Sequence, residues 1–319
     1  MEDGLLAITG LILVGLVLLC LGAEGLVRGS ASLALRAGVT PLVVGLTVVA
    51  FGTSSPEMVV STKAAYLGQG SIALGNVVGS NIFNIAVILG LSALVRPLKV
   101  NVQLIRFDLP LMIGVSVLAY VFFRDAWLSR GEAFILAGGL LVYLVLVIRM
   151  ARRETSSAVN QEYVEGNPPP NRSLPLDLMY VVGGLGLLVV GARFFVQGAA
   201  DLARFWGISE AIIGLTIVAA GTSMPELATS MVAAFRKQED IAIGNIVGSN
   251  IFNILAILGV AGLIKPFSGT GITAMDFYFM LGTSIVLLPL MRWGLRLNRI
   301  EGGLLVLAYG CYLALLWPK

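Results

Sequence analysis

Two short segments place carboxylate, hydroxyl and proline residues inside otherwise apolar sequence. They are residues 52–57 (GTSSPE) and 221–226 (GTSMPE). In a helix, a Thr and a Glu four residues apart share a face, and a proline leaves the carbonyl four residues earlier without its backbone donor. Each segment should therefore kink and gather carboxylate, hydroxyl and carbonyl oxygens at one depth. Hard cations such as Ca²⁺ prefer such all-oxygen surroundings.

The segment that follows each of these motifs supplies a second polar wall. Residues 75–84 (GNVVGSNIFN) carry Asn76, Ser80 and Asn84 at four-residue spacing, which makes a polar stripe on one side of a helix. The copies in residues 244–253 are Asn245, Ser249 and Asn253. Small and hydrogen-bonding residues also serve ordinary packing between membrane helices. Packing and ion binding stay equally open for Asn76, Asn81, Asn245 and Asn250. For Ser80 and Asn84, ion binding is the favoured interpretation.

Glu57 and Glu226 are the strongest candidates for cation binding. A carboxylate at membrane depth costs several kcal/mol, and neither predicted span contains a Lys, Arg or His to neutralise it. Because both acids recur at equivalent positions beside hydroxyls, we expect cations to be their partners. Glu24 differs, since Arg28 follows four residues later and an ordinary interfacial ion pair explains it.

The composition predicts a polytopic membrane protein. The chain has 319 residues, of which 57% are hydrophobic and 12% charged, with a mean hydropathy of +0.93. Soluble domains are roughly 45–50% apolar and 25% charged. A helix needs about 20 apolar residues to cross a bilayer. The predicted spans are residues 5–35, 41–62, 72–95, 109–123, 133–148, 178–200, 211–235, 241–264, 275–291 and 302–317.

An internal repeat predicts the architecture. When residues 45–97 are aligned with residues 214–266, 31 of 53 positions are identical without a gap. Each half holds five predicted spans, and an odd number makes equivalent helices cross in opposite directions. Such inverted repeats are typical of secondary transporters. We predict an all-α membrane protein of ten transmembrane helices in two inverted five-helix repeats. The repeats are residues 1–148 and 177–319, and a cytoplasmic linker, 149–176, joins them.

The distribution of charge predicts the orientation and excludes several functions. With the N-terminus outside, fourteen of the 21 Lys and Arg residues fall in inner loops, as the positive-inside rule requires. The expected location is the cell membrane, with both termini extracytoplasmic. The basic residues are scattered, which argues against nucleic-acid binding. The chain has no His, which excludes His-based zinc sites and Ser-His-Asp catalysis. We expect no enzymatic activity.

Together the two pairs of motifs resemble the paired α-repeats of the cation/Ca²⁺ exchanger superfamily, specifically its sodium/calcium exchanger branch. The resemblance covers both halves and implies ten transmembrane helices, with ion ligands in the second, third, seventh and eighth. It implies Ca²⁺ and Na⁺ as transported ions, with no cofactor and no obligatory protein partner besides the lipid bilayer. The implied ligands are Ala50 through its carbonyl, Thr53, Ser54, Glu57, Ser80, Asn84, Ala219, Thr222, Ser223, Glu226, Ser249 and Asn253.

Two features distinguish this chain within the resemblance. Several prokaryotic members carry Asp where this chain has Asn253, so the implied site has two acids rather than three. Eukaryotic exchangers carry a large Ca²⁺-sensing insertion between the halves, and the linker here has no room for one. The resemblance therefore implies a prokaryotic-type antiporter that exchanges several Na⁺, expected to be three, for one Ca²⁺ by alternating access.

Three alternatives remain open from the sequence. A proton/Ca²⁺ exchanger of the same superfamily would share the fold, although the GTSxPE motif and the absence of His favour Na⁺. A passive cation channel could also use two carboxylates. An intramembrane hydrolase lacks a plausible base beyond the two Glu residues.

The first and sixth spans are predicted to move. Both are rich in glycine and lack the polar stripe, which suits smooth helices that slide across an ion-holding core. Close static packing explains the same glycines equally well.

Overall fold

The described part of the chain is almost wholly helical. A computed structural model describes residues 2–154, 173–207 and 219–316. Its helices are α1 (Glu2–Ala37), α2 (Pro41–Thr53), α3 (Ser55–Tyr66), α4 (Gly70–Val95), α5 (Leu104–Phe122), α6 (Arg130–Glu154), α7 (Leu174–Phe205), α8 (Ala219–Gly221), α9 (Met224–Phe235), α10 (Glu239–Ile264), α11 (Ala274–Arg292) and α12 (Arg299–Leu316). Four short strands are β1 (Leu98–Lys99), β2 (Trp127–Leu128), β3 (Phe267–Ser268) and β4 (Arg296–Leu297).

The helices have the length and apolarity of a multi-pass membrane protein. Within the described ranges, seven helices are long and apolar enough to cross a bilayer, and the bent pair α2 and α3 would make an eighth. The predicted seventh span, 211–235, falls on α8 and α9, and its residues 211–218 lie outside the described ranges. The tenth predicted span falls on α12.

Several helices extend beyond their predicted bounds. The fourth predicted span begins at residue 109, whereas α5 begins at Leu104. Similarly, α6 runs to Glu154, six residues into the predicted linker, and α7 begins at Leu174. The prediction ended spans at charged residues, but the helices continue through them. Long side chains such as Arg106 and Arg149 are exposed at the helix ends, and the short acids Asp108 and Asp177 are buried within the protein.

The strands were not predicted, and they tie the two halves together. β1 pairs with β4 in antiparallel fashion, and β2 pairs with β3. At the repeat offset of 169 residues, β3 is the copy of β1 and β4 is the copy of β2. Each half therefore makes the same pairing to the other, which is the pattern that a two-fold relation between two copies produces.

Helices α4 and α10 form the centre of the molecule. In their most apolar windows 72% and 89% of the residues are buried, against 17% for α1 and 28% for α7. The long helices α1 and α7 pack closely along each other at the periphery. A methyl group on Gly22 would lie 2.7 Å from the carbonyl oxygen of Gly184, and one on Gly191 would lie 2.8 Å from the backbone nitrogen of Leu19. These glycines make the close approach of the two helices possible.

An ion pair joins the end of α1 to the start of α7. Arg36 Nε donates to Asp177 Oδ2 at 2.5 Å, and the Asp177 side chain is fully buried. Asp177 also lies in the first turn of α7, where the positive end of the helix dipole favours a carboxylate. The pair therefore helps to hold α1 and α7 as one unit.

Removal of this arginine should destabilise the fold. We expect Arg36→Met to lower the free energy of unfolding by about 3 kcal/mol, because it leaves the buried Asp177 carboxylate uncompensated. Arg36→Met combined with Asp177→Leu should recover part of the loss. Thermal unfolding in detergent measures both variants. A double variant no more stable than the single one would contradict a role for the ion pair.

Candidate cation site

A break in the helix places each motif acid at the start of a new helix. α2 and α3 meet at Ser54 with a bend of 47°, so the kink predicted there is confirmed. Ser54 has φ −80° and ψ 4°, and Ser223, between α8 and α9, has φ −90° and ψ 10°. Glu57 and Glu226 consequently lie in the first turns of α3 and α9. The helix N-terminus favours a carboxylate at these positions.

Hydroxyl groups from each half contact the acid of the other half. Ser54 Oγ donates to Glu226 Oε1 at 3.0 Å, and Ser223 Oγ lies 3.0 Å from Glu57 Oε1. Ser223 Oγ also lies 3.2 Å from Ser80 Oγ. Glu57 and Glu226 are 1% and 0% exposed. The two motifs, 169 residues apart in sequence, therefore form one buried polar site.

Asparagine side chains hold the motif threonines in place. Thr53 Oγ1 donates to Asn245 Oδ1 at 3.0 Å, while Asn245 Nδ2 donates to Ser230 Oγ at 2.9 Å. The equivalent contacts in the other half join Thr222 to Asn76 at 3.2 Å and Asn76 to Ser61 at 2.9 Å. Asn76 and Asn245 therefore form hydrogen bonds that position the motif threonines. Sequence reasoning missed Ser61 and Ser230, although each lies four residues after a motif acid and thus on the same helix face.

Four asparagines link α4 to α10 where these helices cross. Asn81 and Asn250 each donate to the backbone carbonyl of the other at 3.2 Å. Asn84 Nδ2 donates to Asn250 Oδ1 at 3.0 Å, and Asn253 Nδ2 donates to Asn81 Oδ1 at 2.9 Å. The amide nitrogen of Asn84, on α4, thus donates to α10, and the amide nitrogen of Asn253, on α10, donates to α4. The side-chain oxygens of both residues remain for another partner.

Five buried oxygens of the site have no hydrogen-bond partner within the described ranges. They are Glu57 Oε2, Glu226 Oε2, Asn84 Oδ1, Asn253 Oδ1 and Ser249 Oγ. Leaving a buried acceptor unsatisfied costs about 1–3 kcal/mol, and more for a charged group. These oxygens come from four helices and have no hydrogen-bond donor, and a bound cation would supply the missing partner.

The two predicted alanine ligands lie in the helices that precede the motif serines. The Ala50 carbonyl accepts from the Ser54 backbone N–H at 3.0 Å and lies 3.4 Å from Thr53 Oγ1. Ala219 lies in α8 and is the first described residue after position 207. Asn84 and Asn253 each begin a π-helical turn, Asn84–Leu89 and Asn253–Leu258. Such turns are frequent at functional sites because they redirect side chains and free backbone carbonyls. These π-helical turns were not predicted from the sequence.

The donor set is poor in acids. No group of three or more His, Cys, Asp or Glu residues able to hold a metal occurs in the described part of the chain. Two carboxylates among hydroxyl and amide oxygens suit a hard cation that is bound reversibly rather than a tightly held transition metal.

Comparison with known proteins identifies the family. The model of the sodium/calcium exchanger protein family matches residues 7–149 and 176–317, which include both halves and every predicted ligand. The chain belongs to this sodium/calcium exchanger family. Its members are transporters, and the chain is accordingly an antiporter of the sodium/calcium exchanger superfamily.

Several relatives align with this exchanger over nearly the full length of both chains. CaxA from Alkalimonas amylolytica is 40% identical over 99% of this chain and 100% of its own length. The sodium/calcium exchanger MaX1 from Methanosarcina acetivorans is 32% identical over 96% of this chain and 97% of its own. A solved structure of the sodium-calcium exchanger NCX_Mj, soaked with Na⁺ and Sr²⁺, superposes with a TM-score of 0.84 at 31% identity. That alignment covers 97% of this chain and 98% of the other. The resemblance to prokaryotic members is therefore confirmed.

Proposed function

We propose that this exchanger moves Na⁺ and Ca²⁺ in opposite directions through the site formed by Glu57 and Glu226. The proposal rests on the five buried oxygens that lack hydrogen-bond donors, because bound cations would satisfy such acceptors. The proposed ligands are the twelve residues implied by the sequence, from Ala50 to Asn253. Ser223 and Ser80 support the assignment, because the Ser223 hydroxyl contacts the Glu57 carboxylate and the Ser80 hydroxyl contacts that of Ser223.

The charge of the site supports exchange of several Na⁺ for one Ca²⁺. Two carboxylates carry a charge of −2, which one Ca²⁺ neutralises. Three Na⁺ would leave the loaded site at +1, so a cycle of that stoichiometry moves net charge. One elementary charge moved through 100 mV is worth about 2.3 kcal/mol. A negative cell interior would then favour import of Na⁺ and export of Ca²⁺, and because the two loads share carboxylates they exclude each other.

We infer that the two halves are inverted repeats of five transmembrane helices each, in a cell membrane with both termini outside. The reciprocal contacts support this relation: Ser54 with Glu226 matches Ser223 with Glu57, and β1 with β4 matches β3 with β2. The repeats are assigned to residues 1–148 and 177–319. Residues 155–172 of the proposed linker lie outside the described ranges.

A difference between the halves supports alternating access. α1 packs against α9, where Ala228 and Val232 join the apolar cluster of α1 and Glu24 pairs with Arg236 at 2.7 Å. The equivalent face of α3 stays open, since Val59, the copy of Ala228, is 65% exposed. Inverted repeats transport by exchanging such unequal arrangements around a fixed site. We propose that α1 and α7 slide together so that α7 covers α3 when α1 leaves α9.

Flux into liposomes tests the proposed function. Purified protein in liposomes loaded with Na⁺ should accumulate Ca²⁺ from a Na⁺-free bath, and collapse of the Na⁺ gradient should stop it. With three Na⁺ leaving for each Ca²⁺, an inside-positive potential should speed uptake. Radioactive Ca²⁺ measures the rate, with protein-free liposomes as the control.

The same flux measurement distinguishes the alternatives. Ca²⁺ uptake that ignores Na⁺ but follows a pH gradient would contradict Na⁺ exchange and indicate a proton/Ca²⁺ exchanger. Uptake without any counter-ion gradient would indicate a channel. A rate that does not respond to voltage would contradict the unequal charge of the two loads.

A further inference from the structure

An apolar groove opens on the outer surface of the helix pair α3 and α10. Its volume is about 460 Å³, and its lining is Met58, Val59, Thr62, Lys63, Tyr66, Val260 and Ile264. Val59 and Tyr66 are 65% and 67% exposed. Because these helices lie in a membrane, the groove faces lipid, and an acyl chain is the apolar partner available to it. The wall of the groove includes Met58, the neighbour of the ion-site residue Glu57.

Two lysines without acidic partners stand at one end of this groove. Lys63 lies in the last turn of α3 and lines the groove. Lys265 directly follows α10, and its ammonium donates to the Tyr66 carbonyl at 3.1 Å. Neither lysine forms an ion pair with a carboxylate of the described ranges. The Thr62 hydroxyl, also in the lining, is buried without a hydrogen-bond partner there.

The other half of the molecule provides an internal comparison. The copy of Lys63 is Val232, which packs in the cluster of α1. The copy of Lys265 is Arg96, whose Nε donates to Glu239 at 3.0 Å. The position equivalent to Glu239 is Gly70, so Lys265 lacks the acid that neutralises its counterpart. Among the described residues, the positions equivalent to Lys63 and Lys265 therefore do not place unpaired positive charge together in the other half.

We propose that this groove is a binding site for an anionic phospholipid, with one acyl chain along α3 and α10 and the phosphate between Lys63 and Lys265. A basic residue near a bilayer surface attracts anionic lipid by about 1 kcal/mol, and lysine places its charge at the interface while its stem covers apolar surface. Tyr66 fits the same depth, since aromatic residues with a polar end concentrate at the membrane interface.

Thermal unfolding in a neutral detergent tests the lipid site independently of transport. Added phosphatidylglycerol should raise the unfolding midpoint at a lower concentration than phosphatidylcholine with the same acyl chains. Lys63→Gln and Lys265→Gln should each raise the half-maximal phosphatidylglycerol concentration about fivefold. The double variant should lose the preference for the anionic lipid. Val59→Trp, which fills the groove and leaves both lysines, should also lose it.

Matched controls separate a bound lipid from general attraction of charge. Lys237, at the corresponding end of α9, is exposed, and Lys237→Gln should leave the lipid preference unchanged. An equal loss in Lys237→Gln would overturn the proposal, because it would show attraction by net charge alone. If Val59→Trp fully retained the preference for the anionic lipid, the acyl chain would not bind in the groove and the proposal would be overturned. A shift reproduced by inorganic phosphate would assign the lysines to a free anion instead of a lipid.

Discussion

Replacement of either buried glutamate by glutamine should abolish Na⁺-driven Ca²⁺ uptake. We expect Glu57→Gln and Glu226→Gln each to lower the initial rate by at least about 100-fold, because removal of one partner from a buried charge pair costs 3 kcal/mol or more. Each variant removes one negative charge, so the charge of the site changes from −2 to −1. A bound Ca²⁺ would then leave one unbalanced positive charge buried. Uptake of radioactive Ca²⁺ into Na⁺-loaded liposomes measures the loss.

The glutamine variants should still fold. Glutamine keeps the side-chain oxygen that Ser223 contacts at Glu57 and that Ser54 contacts at Glu226. Elution as a single species in size-exclusion chromatography checks this. Glu301→Gln is the matched control. Glu301 accepts from the Asn298 backbone N–H at the start of α12 and has no part in the candidate cation site, and a glutamine oxygen can accept the same hydrogen bond. Near-normal uptake in either site variant would contradict the assigned ligands.

The sequence predicted the acids of the site because their chemistry is local. A carboxylate in an apolar span is costly wherever the span lies, and the repeat makes the position appear twice. The clustering of Glu57 with Ser54, Ser223 and Glu226 also agrees with the prediction of oxygens at one depth. Hydrophobic runs similarly located the helices, since the bilayer sets their length.

Asparagine roles could not be predicted in the same way. An amide side chain has both donors and acceptors, and four-residue spacing fixes its face but not its partner. Only the crossing of α4 and α10 decides that Asn81 and Asn250 contact each other's carbonyls. The same limit applies to Glu24, whose local partner Arg28 was predicted and is confirmed, and whose second partner Arg236 is 212 residues away.

The unequal packing of the halves also lies beyond the sequence. Two similar repeats predict similar environments, yet α1 covers α9 while the copied face of α3 is open. The open face bears Lys63, and the covered face bears Val232 at the same repeat position. Lysine can keep its ammonium group at the membrane interface while its stem covers apolar surface, which agrees with the position of Lys63 on the face that is open in this structure.

A single methyl group at the contact of α1 and α7 should destabilise the protein. A Cβ atom on Gly184 would lie 2.7 Å from the Gly22 carbonyl oxygen and 2.7 Å from the Leu26 backbone nitrogen. Both atoms belong to the backbone of α1, so neither moves unless the helix moves. We expect Gly184→Ala to lower the free energy of unfolding by about 1–3 kcal/mol, the usual cost of overpacking. The thermal unfolding midpoint in detergent measures the change.

The neighbouring glycine gives a control with the opposite expected sign. A methyl group on Gly183 meets no atom of the described structure within 4 Å. Alanine there should be neutral or stabilising by roughly 0.5–1 kcal/mol, because glycine inside a helix costs that much relative to alanine. Gly22→Ala should match Gly184→Ala, since its methyl group would lie 2.7 Å from the Gly184 carbonyl oxygen. Equal stability of the Gly183 and Gly184 variants would show that α1 and α7 separate at little cost. It would also contradict their motion as one unit, because a pair that moves together must keep its close contact throughout the transport cycle.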